Sequence, residues 1–214
     1  MKPGLRRVIR YDGKSSYEIR IAGLTRELPI VSIGIINIED QRFKAYIASD
    51  AELVLSDVEF ISVVSRELAK HIAPFSPEVI AAPEAKAIAI TYEVSRRLGI
   101  AKFIIARKGI KAYMSSHAEV IVNSITTGVA QRLVLDDESI RYVKNKRTCI
   151  IDDVVSTGST IRAIENLIGS AGGNIVCRAS VWLEGPWIDD DWVIHIGELP
   201  IFIEQVNDKK RIDH

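Results

Sequence analysis

Residues 148–160 read Thr-Cys-Ile-Ile-Asp-Asp-Val-Val-Ser-Thr-Gly-Ser-Thr, and the helical pattern Ile-Arg-Ala-Ile-Glu-Asn-Leu-Ile follows at 161–168. Residues 148–151 suit a buried strand, which runs into two adjacent acids, Asp152 and Asp153, and then a short hydroxyl-rich loop. Backbone N–H groups and hydroxyls at a helix N-terminus make a cradle for a phosphate dianion. The paired acids cannot serve that phosphate, because like charges repel. They suit a neutral polyol, such as the hydroxyls of a ribose. A phosphate cradle and a diol site side by side point to a ribose-phosphate ligand.

Outward from this segment the pattern is strand–helix alternation. Upstream, 79–82 is a short apolar strand, 85–98 a helix ended by Gly99, and 103–106 another strand. Residues 131–135 and 140–143 read as a hairpin pair. Downstream, Gly172 and Gly173 break the helix before a strand over 175–183. Such alternation implies an α/β fold, a central parallel sheet flanked by helices. Residues 17–49 read instead as antiparallel strand material: 17–22 alternates, 30–38 is rich in Val and Ile, and 43–48 follows the polar turn Glu39, Asp40, Gln41, Arg42. Ser56 or Asp57 can cap a helix with apolar positions Val58, Ile61, Val64, Leu68 and Ile72, which Pro74 and Pro77 stop. The chain thus divides into an N-terminal β-rich extension (1–55), a core (56–183) and a small C-terminal hood segment and tail (184–214). The last eight residues are expected to fray. Residues 107–130 have no clean period; a long irregular connection of this kind is expected to be a lid over a ligand. The alternative there is a surface excursion in which Val120, Ile121 and Val122 pair as a strand.

Lys plus Arg equals Asp plus Glu at 28 each, so no global field draws the chain to nucleic acid or an anionic membrane. The N-terminus has basic residues without an apolar run behind them, and no stretch approaches membrane-spanning length. A cytosolic protein is expected. Cys149 and Cys177 each lie in an apolar run and are expected as buried thiols; a disulfide is possible but not implied, and nothing resembles a metal site.

The 148–160 segment resembles the phosphoribosyl-pyrophosphate (PRPP) motif of type I phosphoribosyltransferases. The resemblance, which extends over about 75–185, implies that fold, with Asp152 and Asp153 on the ribose hydroxyls. It puts Val155, Ser156, Thr157, Gly158, Ser159 and Thr160 at the 5′-phosphate. Glu84, Ala85 and Lys86, in a strand–helix turn, are similar to the family's pyrophosphate loop. Arg107 and Lys108 resemble the strand-end pair whose lysine meets pyrophosphate, and Lys111 and Glu119 would close over the substrate with the lid. The catalytic set so implied is Asp152, Asp153 and Lys108. His117 reads as an exposed loop residue.

Val154, Trp182, Leu183 and Glu184 are the base-binding candidates. An indole face suits a purine, and Glu184 can accept from an exocyclic amine. Ser156 stands where hypoxanthine–guanine members carry an Asp, and no lysine for a 6-oxo group is evident upstream of Trp182. Both features lean towards adenine. The resemblance implies transfer of phosphoribosyl from PRPP to a purine, with Mg²⁺ bound through PRPP rather than by protein ligands, and a homodimer. The alternatives are a 6-oxopurine or orotate phosphoribosyltransferase, or a PRPP-sensing transcriptional regulator on the same fold. A regulator should add a helix–turn–helix segment or a basic face.

Overall fold

The computed structural model of the chain describes residues 5–38, 41–123 and 130–206. Strands β1 (Val8–Arg10), β2 (Ser16–Ile21), β3 (Leu24–Ile38) and β4 (Gln41–Ala48) come first, then helices α1 (Ala51–Ser56) and α2 (Val58–Ile72). Strands and helices alternate from there: β5 (Val79–Pro83), α3 (Ile88–Leu98), β6 (Ile104–Ala106), a hairpin of β7 (His117–Asn123) and β8 (Ala130–Asp136), and α4 (Asp137–Val143). The chain continues through β9 (Arg147–Val155), α5 (Ser159–Ser170), β10 (Asn174–Glu184), β11 (Ile194–Leu199) and β12 (Ile201–Gln205).

The core sheet has the order β11-β10-β9-β5-β6, and each neighbouring pair is parallel. The stretch of β9 from Cys149 to Ile151 is continuously apolar and buried because helices cover both of its faces. Cys149 and Ile151 pack with Phe60, Val64 and Leu68 of α2 and with Ile90 of α3, whereas Ile150 packs with Ile161, Ile164 and Ile168 of α5. The chain leaves β5 outward to β6, then returns to the opposite side of β5 for β9, β10 and β11. In an open parallel sheet, a crevice forms outside the carboxyl ends at such a reversal, and ligands bind there.

A second sheet runs β1-β12-β4-β3-β2, antiparallel except for β1 against β12. The stretch after Glu184 is shared between the two sheets. Leu199 pairs with Glu184 in the core sheet, and two residues later Ile201 pairs with Ile47 in the other. Arg7 fastens the connecting loop by donating to the Gly185 carbonyl at 2.7 Å and the Ile188 carbonyl at 2.9 Å. The N-terminal layer therefore lies along the carboxyl edge of the core sheet, where β4 brings Ile47 and Ala48 to the crevice.

Three expectations are corrected. Residues 140–143 are the end of helix α4 and not a strand: the Asp136 side chain accepts from the Ser139 N–H at 2.7 Å, and Asp137 and Glu138 occupy the first turn. That cap and charge pattern favours a helix start over a short apolar run. The partner of β8 is β7, so residues 117–123 form a strand within the irregular stretch. Cys149 and Cys177 are joined by a disulfide, because β9 and β10 place them directly opposite with Cα atoms 4.6 Å apart, within bridging reach. In addition, α3 begins at Ile88, three residues later than the pattern suggests. The expected frayed tail (207–214), residues 39 and 40 of the polar turn, and the Thr126-Thr127-Gly128 run lie outside the described residues.

Phe60, fully buried in the first turn of α2, stacks on Trp182 with ring centroids 6.3 Å apart. Phe60→Ala removes a large side chain from this junction and should lower unfolding free energy by about 3–5 kcal/mol, read as a lower midpoint in denaturant titration.

Candidate active site

The crevice at the β5–β9 reversal is a cavity of about 340 Å³. Its walls come from both sheets: Ile33, Ile47, Ala48, Ser49 and Asp50 from the N-terminal layer; Pro83, Glu84, Ala85 and Lys86 after β5; and Lys108 after β6. Leu133, Asp152, Asp153, Val154, Ser156, Thr160 and Glu184 complete it.

At one end, the chain turns from β9 into α5 around a smaller concavity lined by Val155, Thr157, Gly158 and Ser159 together with Ser156 and Thr160. The Thr157 hydroxyl lies 3.1 Å from that of Ser159. Gly158 is the N-cap of α5 at φ +73°, and a Cβ there would stand 3.0 Å from the Trp192 ring and 3.2 Å from Ile188. Only glycine meets both demands, backbone and space. Arg162 lies over the outer Trp192 ring at 4.4 Å and braces the loop from behind. Free N–H groups, hydroxyls and the positive end of the 12-residue helix α5 face the concavity, a setting for a phosphate.

Asp152 and Asp153 lie in the middle of the cavity, 6% and 5% exposed. The Asp152 carboxylate accepts from the Asp153 N–H at 2.9 Å. Burial first, and the charge of Asp153 second, push the Asp152 carboxyl well above the ordinary carboxylate range. Asp153 forms an ion pair with Lys86, whose ammonium also reaches Asp50 at 3.1 Å. Burial acts to lower the Lys86 pKa, but the charges of Asp153 and Asp50 raise it more, so the group is a fixed cation.

Glu84 and Arg107, both expected on pyrophosphate, engage each other. Glu84 accepts from the Lys108 backbone N–H at 3.0 Å and from the Arg107 guanidinium at 3.2 Å. The first of these bonds is the main reason its carboxyl lies below the usual range. The pair ties the end of β6 to the turn after β5, and Lys108 is left exposed at the cavity wall. Lys111 lies outside the lining, near enough to Glu84 to lower its pKa further. Glu119 is turned towards Arg132 at 3.3 Å and His117 at 3.7 Å on the β7–β8 hairpin.

The cavity walls also include the apolar Ile33, Ile47 and Val154 and a buried acid, Glu184. Burial above all, then the charge of Asp50, raises the Glu184 carboxyl to about 8, against a smaller lowering by Lys86. Trp182 and Leu183 are not in the lining. Alternation along β10 turns Trp182 into the cluster with Phe60 and Leu183 into the opposite one with Ile164, both sealed from solvent. The stacking surface expected from the indole is replaced by the aliphatic walls of β3 and β4. The sequence reading missed Ile33, Ile47 and Asp50. Asp50 looks like an ordinary helix cap before α1, yet its side chain makes no cap bond. Its failure to cap is visible only in three dimensions.

Among the described residues, no group of three or more His, Cys, Asp or Glu side chains is arranged to hold a metal ion. An ion such as Mg²⁺, which keeps water and phosphate ligands, fits this cavity when carried by a polyphosphate and met by one or two carboxylates. No helix among the described residues is long and apolar enough to cross a membrane.

A family model described as "Phosphoribosyl transferase domain" matches residues 55–189. The chain is similar to the adenine phosphoribosyltransferase of Corynebacterium jeikeium, 28% identical over 160 residues, which are 75% of this chain and 74% of that protein. It superimposes on the crystal structure of adenine phosphoribosyltransferase from Thermoanaerobacter pseudethanolicus with a TM-score of 0.58 and 24% identity, over 68% of this chain and 84% of that one. The protein of the same name from Rhodothermus marinus gives a TM-score of 0.58 at 16% identity, over 86% and 94%. At such identities the structural likeness speaks for the fold.

Glu184 generates a stability prediction. Its carboxyl is held at about 8 in the folded chain against an ordinary 4.5. Between those values the folded state keeps a proton that the unfolded state loses, so stability falls as pH rises through that window. Glu184→Gln keeps a neutral group of the same shape. Thermal melts from pH 5 to 8 should show the variant gaining on the wild type as pH rises; a constant gap would mean the carboxyl is not perturbed.

Proposed function

Because the chain belongs to the phosphoribosyl transferase family, we propose that it transfers the 5-phosphoribosyl group of PRPP to a purine, adenine preferred, releasing nucleoside monophosphate and pyrophosphate. The observation that carries this reading is that a phosphate cradle shares walls, at Asp152, Val154, Ser156 and Thr160, with a cavity that holds two buried acids, aliphatic side chains and Glu184. Phosphate, diol and base sites brought together in this way suit a nucleoside monophosphate.

The proposed mechanism uses this chain's groups as follows. The loop from Ser156 to Thr160 grips the 5′-phosphate, and Asp152 and Asp153 accept from the ribose hydroxyls. Those anchors fix C1 between the base and the leaving group, which is most of what a dissociative displacement requires. As the C1–O bond breaks, positive charge develops on the ribose ring and negative charge on pyrophosphate. The buried carboxylates lie beside the first, and Lys86 and Lys108 beside the second, in a site where water is scarce. Mg²⁺, carried on PRPP, supplies further neutralisation of the leaving group. The purine N9 attacks C1 and its proton leaves to solvent or to a nearby acceptor. Arg107 and Glu84 act here as a brace for the pyrophosphate turn, and Lys111 and Glu119 as candidates to approach when substrate is bound.

The preference for adenine rests on Glu184. A neutral carboxyl offers one donor and one acceptor, the complement of adenine's exocyclic amine and adjoining N7. An oxopurine presents two acceptors along that edge. Lys86, whose charge acts on this acid, is committed to two carboxylates and so is not offered to a 6-oxo group.

A homodimer is part of the same proposal. The strip between α2 and α3 lined by Val58, Ile61, Ile88, Tyr92 and Phe103 supports it, with Val58 78% and Tyr92 57% exposed. Sedimentation at twice the chain's 23.8 kDa is the expected result.

Initial rates with PRPP and Mg²⁺ against adenine, hypoxanthine, guanine, xanthine and orotate in parallel test the reading. Adenine is expected to give the highest kcat/KM. Its value should fall as pH rises through about 8, and Glu184→Gln should abolish that alkaline limb. A higher rate with an oxopurine or orotate contradicts the base assignment, and PRPP binding without turnover of any base contradicts the catalytic one.

A further inference from the structure

Asp50 lies five residues before the segment that matches the family, in the N-terminal layer peculiar to this part of the chain. It sits at the N-cap position of α1, where a carboxylate ordinarily accepts a helix N–H. Here it makes no such bond. The side chain turns inward instead, 2% exposed, with Oδ1 3.1 Å from the Lys86 ammonium and Oδ2 buried without a hydrogen-bond partner. Burial raises the Asp50 carboxyl, but only to about 6, so it remains an anion at neutral pH. The titratable groups around it are Lys86, Asp153 and Glu184.

One lysine is therefore shared by two carboxylates of unlike duty. Asp153 is needed for ribose hydroxyls, and the same carboxylate is ion-paired with Lys86. When a diol takes Asp153, that carboxylate must loosen its hold on the ammonium. The Lys86 side chain is 39% exposed, so an ammonium held by Asp153 alone would be free to swing towards solvent once that hold loosened. Asp50 supplies the second partner, anchored on a different sheet and unaffected by the ribose.

We propose that Asp50 is a positioning residue for the transfer reaction: it retains the Lys86 ammonium beside the leaving pyrophosphate while Asp153 exchanges lysine for ribose hydroxyls. This rests on the ribose reading of Asp153. Asp50 touches no substrate, and its whole effect passes through Lys86.

Steady-state kinetics of Asp50→Asn, Lys86→Gln, the double variant and Asp153→Asn test it. Asp50→Asn is expected to raise KM for PRPP roughly tenfold or more, with KM for the base changed less than about twofold. Because Asp50 works through Lys86, the double variant should lose no more than Lys86→Gln alone. Equal losses for PRPP and base, or additive losses in the double variant, overturn the proposal in favour of a structural role. Wild-type KM for PRPP in Asp50→Asn, with Asp153→Asn impaired, overturns it while leaving the ribose reading intact. If Asp153→Asn binds PRPP normally, the ribose reading falls and takes this proposal with it. Should Asn at 50 prevent folding, Asp50→Ser, which can cap α1, carries the same test with the same outcomes.

Discussion

Two carboxylates buried side by side at the end of a central strand repel each other, and one ammonium, that of Lys86, offsets them. The rest of the site is arranged around this compensation. Lys86 arrives from the turn after β5 because β5 is the immediate neighbour of β9 at the point where the sheet reverses its order. The acids stay buried because α2 and α3 cover one face of β9 and α5 the other. Without the lysine, the buried Asp153 would lose the cation it is paired with. With it, the chain keeps a polar, partly charged centre poised for a ligand that brings hydroxyls on one side and a polyanion on the other.

The second sheet belongs to the same electrostatic unit. Its strand β4 ends at Ala48, and the next turn inserts Asp50 as a further partner for Lys86. Strand β12 returns from the core sheet through Pro200 and lies against β4, so the two layers cannot move apart without breaking ladder hydrogen bonds. The apolar part of the cavity is shaped by this layer too, with Ile33 from β3 and Ile47 from β4 joining Val154 in its wall. Residues on both sides of the family segment's boundary therefore line the cavity: Ile33, Ile47 and Asp50 outside it, Val154 and Glu184 within it.

That the hydroxyl loop and the two acids lie together was legible in the sequence because they are local in the chain, on one strand–turn–helix. Lys86 and Lys108 reach the same cavity from the turns after two other strands, which the strand–helix alternation already marks. The parallel core was legible for a similar reason, since buried strands and amphipathic helices alternate visibly. Trp182 misled as a stacking residue: it shares a face of β10 with Glu184, but lies two residues back from the strand's carboxyl end, where Phe60 covers it. Glu184, the last residue of the strand, reaches the crevice instead. Residues 140–143 misled because a short apolar run suits strand and helix alike, and the Asp136 cap decided between them. Ile33, Ile47 and Asp50 could not be read at all. They reach the site through a sheet pairing between the two ends of the chain, which no local pattern announces.

The most direct test of the central claim is equilibrium binding of PRPP, by titration calorimetry with Mg²⁺ present, to the wild type and to the Asp152→Asn/Asp153→Asn double variant. The account predicts saturable binding by the wild type. The variant should lose measurable affinity while still giving a cooperative melting transition. A double variant that binds PRPP as tightly as the wild type would contradict it, because the acid pair would then have no part in holding the ribose.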